Sequence, residues 1–169
     1  MELLIRRAAA QDASAVLAYS RVIGAETRNV TYGPEGIRLS EEEERRLLAA
    51  QEQSGDTVIL TAFDGEELVG LANVFRISQK TRLAHRAGIG VSVKKSHWNR
   101  GIATALMERC IKAGGEMGCT VLELEVLECN AAAIHLYEKL GFQKIGRFEK
   151  FMRYEDGTSA AAWLMNLYL

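Results

Sequence analysis

The segment from His97 to Ala103 has the residue types of an anion-binding turn. It follows an apolar run that ends at Val93 and leads into a helical pattern that begins near Arg100 and Gly101. The N-terminus of a helix presents unpaired backbone N–H groups and a partial positive charge. Because Gly101 and Ala103 are small, a phosphate can approach the main chain there. The segment is therefore typical of a phosphate-binding turn.

Basic side chains in this turn favour the same chemistry. Lys94, Lys95 and Arg100 are placed to add charge-assisted contacts to a pyrophosphate or a ribose phosphate. The Gly-x-x-x-x-Gly-Lys-Ser/Thr loop of NTPases and the Gly-x-Gly-x-x-Gly fingerprint of dehydrogenases are both absent. Taken alone, the segment fits an ordinary strand-to-helix turn with solvated basic side chains equally well.

A second cluster of polar and aromatic residues lies on a short helical pattern from Asn130 to Phe142. Asn130 is a good N-cap, and Gly141 suits the position just after the helix. Tyr137 follows Asn130 by seven residues, or two turns, so both side chains lie on one helical face. A tyrosine hydroxyl in such a place is able to donate a proton, although core packing is the commoner role of a tyrosine at helical spacing.

Taken together, the two segments resemble the GNAT superfamily of N-acetyltransferases. The first, Val93 to Leu106, matches the turn Arg/Gln-x-x-Gly-x-Gly/Ala at Trp98 to Ala103, and Trp98 departs from it at the Arg/Gln position. The second matches the pattern Asn-x-x-Ala-x-x-x-Tyr-x-x-x-Gly-Phe from Asn130 to Phe142. The resemblance implies one acetyltransferase domain over residues 1–169. Its α/β fold is expected to have a mixed, mostly antiparallel sheet of about six to seven strands flanked by about four helices.

The resemblance also implies that the protein binds acetyl-CoA and moves its acetyl group to a primary amine by direct attack in a ternary complex. Tyr137 is expected to act as general acid for the departing CoA thiolate, and Asn130 to contact the pantetheine arm. Donors for the acetyl oxygen are expected from a bulged strand around Gly88 and Gly90. The cofactor-binding residues implied by the resemblance are Val91, Val93, Trp98, Asn99, Arg100, Gly101, Ile102, Ala103 and Asn130.

The amine acceptor has to lose a proton, and three side chains are candidates for the base. Glu125 is preferred as the catalytic base, and Glu123 and His85 are alternatives. Because side chains alternate along a strand, Glu123 and Glu125 share one face, so one can face the cleft while the other is a solvated charge. His97 and His135 are interpreted as surface residues.

Acceptor recognition in the family comes largely from the loop after the first helix and from the terminal hairpin. Here these are residues 24–39, with Arg28, Tyr32 and Arg38, and residues 148–163. Arg28 and Tyr32 are expected to bind the acceptor. Two arginines suit a carboxylate-bearing amine such as an amino acid, and acidic residues in the same loop weaken that preference. The acceptor class is left open between a small molecule and a peptide N-terminus.

The elements that must position these residues follow from the hydrophobic pattern. A first strand precedes an amphipathic helix, and Ser40 to Glu43 form a capping box for a second helix. Apolar runs on both sides of Asp64-Gly65 predict a hairpin, and a further strand follows at Ala84 to Val93. A strand at Val121 to Leu127, the second helical segment and a hairpin around Asp156-Gly157 complete a mixed α/β order.

Composition is that of an ordinary soluble globular protein. The chain has 169 residues, 48% of them hydrophobic and 25% charged, and a formal net charge of −1. Near-neutral charge argues against nucleic acid or an anionic membrane as a partner, and no Cys or His spacing suggests a metal site. We therefore expect a cytoplasmic protein with no metal and three buried, unpaired cysteines. The apolar run Ala160 to Leu164 in the terminal hairpin suggests a homodimer.

Two other functions are compatible with the same turn. A non-catalytic acyl-CoA sensor would keep the fold and lose the chemistry, and the presence of Tyr137 counts against it. A nucleotide- or RNA-binding domain would use the same basic turn. Near-neutral charge and the lack of a strip of alternating aromatic and basic residues weaken that alternative.

Overall fold

The computed structural model describes residues 3–169, and within them seven strands form one sheet with four α-helices around it, as predicted. The strands are β1 (Leu3–Arg7), β2 (Thr57–Asp64), β3 (Glu67–Arg76), β4 (Arg86–Val93), β5 (Val121–Leu127), β6 (Gln143–Arg153) and β7 (Ser159–Tyr168). The α-helices are α1 (Ala13–Glu26), α2 (Glu41–Gln53), α3 (Ile102–Glu116) and α4 (Ala131–Lys139), and short 3-10 helices lie at Ala10–Asp12 and Lys95–His97. None of the helices in this described range is long and apolar enough to cross a membrane.

The strand order of the sheet is β1-β2-β3-β4-β5-β7-β6. Every neighbouring pair is antiparallel except β4 and β5, which run parallel because α3 connects them as a crossover. Three residue pairs join these two strands, namely Arg86 with Val121, Ala87 with Leu122 and Gly88 with Glu123. Beyond Gly88 the two strands no longer pair, so the sheet has a gap in its middle.

Separate apolar clusters are buried on the two faces of the sheet. On one face α3 and α4 cover the strands, and Ile102 and Leu106 of α3 are almost completely buried. On the other face α1 and α2 pack through Ile23 and Leu48. Full burial of one such side chain contributes about 1.5–3 kcal/mol to folding. Because both faces are covered, β4 and β5 are held in place on either side of the gap.

Most predicted helix ends agree with the structure. The Ser40 amide donates to the Glu43 carboxylate at 2.7 Å and the Glu43 amide donates to the Ser40 hydroxyl at 3.2 Å, which confirms the capping box of α2. The Asn130 side chain accepts from the Ala133 amide at 3.3 Å and is the N-cap of α4. Gly141 follows α4 with a φ of 94°, a conformation that glycine adopts without strain.

The predicted bulge at Gly88 and Gly90 is absent from the pairing of β4 with β3, so this prediction is wrong. The register between β3 and β4 runs without a shift. Gly88 has a packing role, because a Cβ atom there would lie 2.4 Å from Cζ of Phe75 on β3. The backbone of β4 is therefore accessible because β5 diverges from it, and no extra residue is needed in β4.

The terminal hairpin differs from expectation in the strand that it exposes. β7 lies between β5 and β6, and Ala162 within the run Ala160 to Leu164 is fully buried. This run therefore lies inside the sheet and offers no free edge. The edge strand is β6, on which Ile145 and Phe148 are exposed.

The three cysteines occupy two kinds of environment. Cys110 and Cys119 are buried, as predicted, and burial raises the pKa of the Cys110 thiol to about 12. A thiol with so high a pKa is almost entirely protonated at neutral pH and is a poor nucleophile. The prediction of a buried Cys129 is wrong, because this residue is exposed in the turn between β5 and α4.

Candidate functional site

A cleft of about 490 Å³ opens where β4 and β5 separate. Its walls come from these two strands, the start of α3, α4, the loop after α1 and part of β6. The predicted site residues that line it are Val91, Val93, Trp98, Asn99, Arg100, Gly101, Ile102, Ala103, Glu125, Asn130 and Tyr137. All the predicted cofactor-binding and catalytic residues therefore meet in one cleft, although they come from distant parts of the chain.

Backbone donors of β4 point into this cleft. The Lys94 amide donates to the Val69 carbonyl at 2.9 Å, so the backbone of Lys94 faces β3. In an antiparallel pair, the backbone groups of successive residues alternate between the partner strand and the opposite side. The regular register of β3 and β4 therefore turns the N–H groups of Ile89, Val91 and Val93 toward β5. Since β5 pairs only up to Gly88 on β4, the amides of Val91 and Val93 have no partner strand within the described residues.

The turn into α3 has the backbone shape of an anion site. Asn99 and Gly101 both have positive φ, at 59° and 76°. The Ala105 amide makes the first hydrogen bond of α3, to the Gly101 carbonyl at 3.0 Å, so the amides of Ile102 and Ala103 precede the hydrogen-bonded part of the helix. A Cβ atom on Gly101 would have no atom within 4 Å, so an anion can approach the backbone closely at this position.

Trp98 has a defined contact in this turn. Its indole N–H donates to the Val93 carbonyl at 2.8 Å, although half of the residue, 50%, is exposed. This bond joins the end of β4 to the turn. It uses the Val93 carbonyl, so the amide is the backbone group of Val93 that remains for other contacts. The departure from the family motif thus replaces a polar side chain with one that still donates a hydrogen bond.

The interpretation of His97 as a surface residue is wrong. His97 is only 8% exposed, its Nδ1 lies 2.8 Å from the Ser96 hydroxyl, and its Nε2 lies 3.4 Å from the Asp64 carboxylate. Nearby, the Lys94 ammonium contacts the Glu67 carboxylate at 2.8 Å. Lys94 was predicted to contact a phosphate, and in the structure its side chain is paired with Glu67 instead. Both pairs tie the turn to the β2–β3 hairpin.

Tyr137 places a neutral hydroxyl in the cleft. The residue is 6% exposed, and its ring packs against Phe142 with centroids 5.8 Å apart. Burial raises the pKa of Tyr137 to about 12. No hydrogen bond to its hydroxyl is present among the described residues. The hydroxyl is therefore protonated at neutral pH and is available as a donor to a bound molecule.

The three candidate bases occupy different surroundings. The Glu123 carboxylate accepts from Arg86 at 2.7 Å, in the part of the sheet where β4 and β5 still pair. Glu125 is exposed and lines the cleft, on the strand face opposite the core residue Leu124. His85 is also exposed and is not among the lining residues. Among these three, only Glu125 faces the gap.

The two predicted acceptor residues do not line the cleft. Arg28 turns toward the terminal hairpin, where it pairs with Asp156 at 2.9 Å. Tyr32 packs beside the core cluster formed by α1 and α2, and burial raises the pKa of its hydroxyl. The same loop contributes other residues to the cleft wall, namely Thr27, Asn29, Val30 and Thr31.

Several lining residues carry no motif that the sequence could reveal. The Ser92 hydroxyl lies 3.0 Å from that of Tyr19 on α1, a contact across 73 positions in the chain. Phe151 and Met152 reach the cleft from β6, beside a shift in the β6–β7 register. For Ser92 the position on β4 was an available signal. For Phe151 and Met152 none existed, because hairpin irregularities are set by tertiary contacts.

Comparison with known proteins gives a consistent result. The sequence model of the Acetyltransferase (GNAT) family matches residues 25–142, which include the turn into α3, β5 and α4. A GNAT-family acetyltransferase from Streptococcus pneumoniae has a crystal structure that superimposes with a TM-score of 0.94 at 31% identity, covering 99% of this chain and 100% of that one. A Salmonella typhimurium protein, yncA, solved with its cofactor acetyl-CoA, shares the fold with a TM-score of 0.85 at 19% identity, covering 100% and 95% of the two chains.

Curated relatives are similar over part of their length. The chain is 31% identical to the N-acetyltransferase YoaA of Bacillus subtilis over 64% of this chain and 59% of that protein. It is 32% identical to the L-amino acid N-acetyltransferase AaaT of Escherichia coli over 59% of this chain and 61% of that protein. The matches thus span about three fifths of these relatives. Since the family match covers well over half of the sequence, this chain belongs to the GNAT family of acetyltransferases.

Proposed function

We propose that this protein transfers the acetyl group of acetyl-CoA to a primary amine by direct attack in a ternary complex. The observation that carries the proposal is the cleft between β4 and β5. One cleft contains the positive-φ turn before α3, the unpaired amides of Val91 and Val93, the protonated hydroxyl of Tyr137 and the carboxylate of Glu125. Acetyl-CoA supplies the activated thioester.

The described residues fit this cofactor along its length. The amides at the start of α3 and the small Gly101 suit the pyrophosphate, with the helix N-terminus adding a partial positive charge. The free edge of β4 suits the pantetheine amides, which are able to pair with it as a strand would. Asn130 uses its side-chain oxygen to cap α4 and keeps its side-chain N–H groups for a donor contact.

Charge that develops on the acetyl oxygen requires fixed donors. The amide of Val91 lies in the gap at the position where β4 and β5 have separated, and we assign it this role, with the Val93 amide as its neighbour. Backbone donors of this kind are held by the sheet and need no reorganisation during the reaction. Removal of a comparable donor from an enzyme typically costs about 10²–10³ in kcat.

Two side chains are assigned to the proton transfers of the reaction. Glu125 is exposed in the cleft and is assigned to accept the proton of the amine, directly or through water. Tyr137 donates a hydrogen bond and then its proton to the departing sulfur, and the proton taken from the amine returns through water to restore the tyrosine hydroxyl. Because burial raises the pKa of Tyr137 to about 12, its hydroxyl is a weaker acid than a thiol. Its contribution is therefore greatest as a hydrogen-bond donor to the developing thiolate.

A thiol-release assay with acetyl-CoA tests the proposal. Free L-amino acids, peptide N-termini, polyamines and aminoglycosides are offered in turn, and the L-amino acid name of AaaT makes the first group the starting point. We expect amine-dependent release of CoA and a product heavier by one acetyl group. Tight binding of acetyl-CoA without release for any amine would contradict catalysis and favour a sensor.

Location and assembly stay predictions of the sequence. We propose a cytoplasmic protein, and a homodimer that uses the edge strand β6 in place of the buried run Ala160 to Leu164. Exposed apolar residues on that edge, Ile145 and Phe148, are compatible with such an interface. Light scattering at micromolar concentration measures the assembly, and the mass of a monomer would contradict the dimer.

A further inference from the structure

Two segments that lie far apart in the sequence form the cleft wall beyond the motif residues. The loop after α1 contributes Asn29 and Val30, and β6 contributes Phe151 and Met152. With Ile23 of α1, the side chains of Val30, Phe151 and Met152 form an apolar part of this wall, beside the polar Thr27, Asn29 and Thr31 of the same loop. The loop has no regular secondary structure, and the β6–β7 pairing shifts register beside Phe151. Among the described residues no backbone ladder joins the loop to the hairpin, so side-chain contacts between them help to fix their relative position.

Arg28 makes such contacts. Its guanidinium lies 2.9 Å from the Asp156 carboxylate and 3.5 Å from the Thr158 hydroxyl, and its Cζ lies 3.8 Å from the centroid of the Tyr154 ring. In the other direction, the Tyr154 hydroxyl donates to the Arg28 carbonyl at 3.2 Å. Arg28 is thus held by three contacts, namely the ion pair of its guanidinium, the stacking of that planar group on Tyr154 and the hydrogen bond to its backbone carbonyl.

The hairpin side of this contact is organised in advance. The Asp156 carboxylate accepts from the Thr158 amide at 2.9 Å and from the Thr158 hydroxyl at 2.5 Å. These bonds, followed by Arg28, hold the pKa of Asp156 below its usual value, so the carboxylate is charged at neutral pH. An exposed ion pair alone is weak. Here the stacking on Tyr154 and the bond to the Arg28 carbonyl act on the same residue as the ion pair.

The charges along the cleft limit which amines suit it. Among the described lining residues, Glu125 is the one carboxylate, beside the basic Arg100 and the imidazole of His97. A polyamine would bring several ammonium groups, and one carboxylate cannot pair with all of them. An amine that carries an apolar group leaves no such charge unpaired. It also buries apolar surface against Val30, Phe151 and Met152.

We infer that Arg28 is a positioning residue that fastens the loop after α1 to the β6–β7 turn, and that the wall held in this way selects amines with an adjacent apolar group. The selection of amines rests on the proposed acetyl transfer, whereas the fastening role of Arg28 is independent of it. It replaces the expected role of Arg28 as a ligand for the acceptor, because the guanidinium is already paired and stacked.

The first test measures the loop without any acceptor. Hydrogen–deuterium exchange of residues 29–39 reports opening, because the Ile37 amide donates to Ser20 and the Gly36 amide to the Gly33 carbonyl. We expect Arg28→Ala to speed exchange in this segment by about fivefold or more. Arg45→Ala, which removes an exposed ion pair of similar length within α2, should leave it unchanged. Equal exchange in the two variants would overturn the fastening role.

The second test measures selection. L-Leucine amide and spermidine serve as probes, and KM and kcat are determined for each with wild type, Arg28→Ala and Arg45→Ala. We expect wild type to favour L-leucine amide by about tenfold or more in kcat/KM. Arg28→Ala should raise KM for this probe by about fivefold, with kcat and the acetyl-CoA Kd within about twofold of wild type. A preference for spermidine would overturn the selection.

The fastening role of Arg28 and the selection of amines can each be wrong while the proposed function is correct. Calorimetric binding of acetyl-CoA, together with thiol release on any amine, reports on acetyl transfer and is independent of the loop. If thiol is released but Arg28→Ala changes neither exchange nor KM, the fastening role is wrong and the proposed function stands. Tyr154→Phe keeps the ring and removes the bond to the Arg28 carbonyl, and it should give a smaller change in the same direction.

Discussion

The side of the cleft proposed to bind the cofactor and the side proposed to bind the acceptor are built from different kinds of contact, and are called here its cofactor side and its acceptor side. On the cofactor side, backbone amides of β4 and of the turn before α3 face the cleft, and their directions follow from strand register and from positive φ at Asn99 and Gly101. On the acceptor side, side chains from a loop and from a distant hairpin form the wall, and Arg28 joins them. One side is set by the main chain and the other by side chains.

This difference explains why the residues of the family motifs lie on the side that the main chain shapes. Main-chain geometry tolerates many side chains, and here even Trp98 is accommodated at a position where the motif has Arg or Gln. Side-chain walls change with single substitutions. The comparison predicts that substitutions on the cofactor side act on acetyl-CoA binding or on chemistry, whereas those on the acceptor side act on KM for the amine.

The largest effect is expected where the main chain itself is altered. Gly101→Glu puts a side chain at a φ of 76°, at about 1–3 kcal/mol of strain, and a carboxylate where the pyrophosphate is expected. We expect the acetyl-CoA Kd to rise by about 10³-fold in calorimetry. Gly55→Glu, at a glycine outside the cleft, is the control and should bind normally. Normal binding by Gly101→Glu would place the anion elsewhere.

Removing the hydroxyl of Tyr137 should separate chemistry from binding. Tyr137→Phe keeps the ring packed on Phe142 and deletes the donor to the sulfur. We expect kcat to fall by about 10²-fold while the acetyl-CoA Kd changes by less than about twofold. Tyr168→Phe, at an exposed position near the end of β7, serves as the control. An unchanged kcat in Tyr137→Phe would exclude the residue from the mechanism.

The two glutamates of β5 should behave differently although they share a strand face. Glu125→Gln is expected to lower kcat/KM for the amine by about tenfold at neutral pH, because the amine then lacks its proton acceptor. Glu123→Gln breaks the pair with Arg86 and should lower the thermal midpoint of unfolding with little change in rate. Steady-state kinetics and a thermal scan on both variants measure these effects. If Glu123→Gln lowered kcat/KM and Glu125→Gln lowered only the thermal midpoint, the roles of the two residues would be exchanged.

A smaller effect is expected at Trp98. Trp98→Phe keeps an aromatic ring and removes the hydrogen bond to the Val93 carbonyl. The net contribution of such a bond is about 0.5–1.5 kcal/mol, so the acetyl-CoA Kd should rise by about two- to tenfold. Calorimetry measures the change. A Kd equal to that of wild type would show that the indole contact does not support the cofactor side.

The smallest change is expected from alkaline titration. Burial raises the pKa of Tyr137 to about 12, so its hydroxyl keeps its proton as the pH rises and loses it only near that value. The ratio of kcat for wild type to kcat for Tyr137→Phe should therefore stay constant between about pH 7 and 10. Parallel pH profiles measure this ratio. A ratio that falls above about pH 9 would mean that Tyr137 ionises earlier than its burial implies.

Sequence reasoning was strongest where function rests on local backbone geometry. The turn at Gly101, the cap at Asn130 and the order of helices and strands along the chain were accessible, because glycine, cap residues and alternating patterns act on their sequence neighbours. The contacts of Arg28 could not be predicted, because its partner Asp156 lies 128 positions away and no local pattern joins them. The burial of His97 likewise depends on Asp64 in another hairpin.

The short contact between β4 and β5 has a consequence for stability. Three residue pairs join the half of the sheet built from β1 to β4 to the half built from β5 to β7, so a molecule bound in the gap acts as a missing strand between two subassemblies. A ligand that binds the folded state alone adds about 2.7 kcal/mol to the unfolding free energy at a hundred times its Kd. Resistance to heat and proteolysis would then rise and fall with the supply of acetyl-CoA.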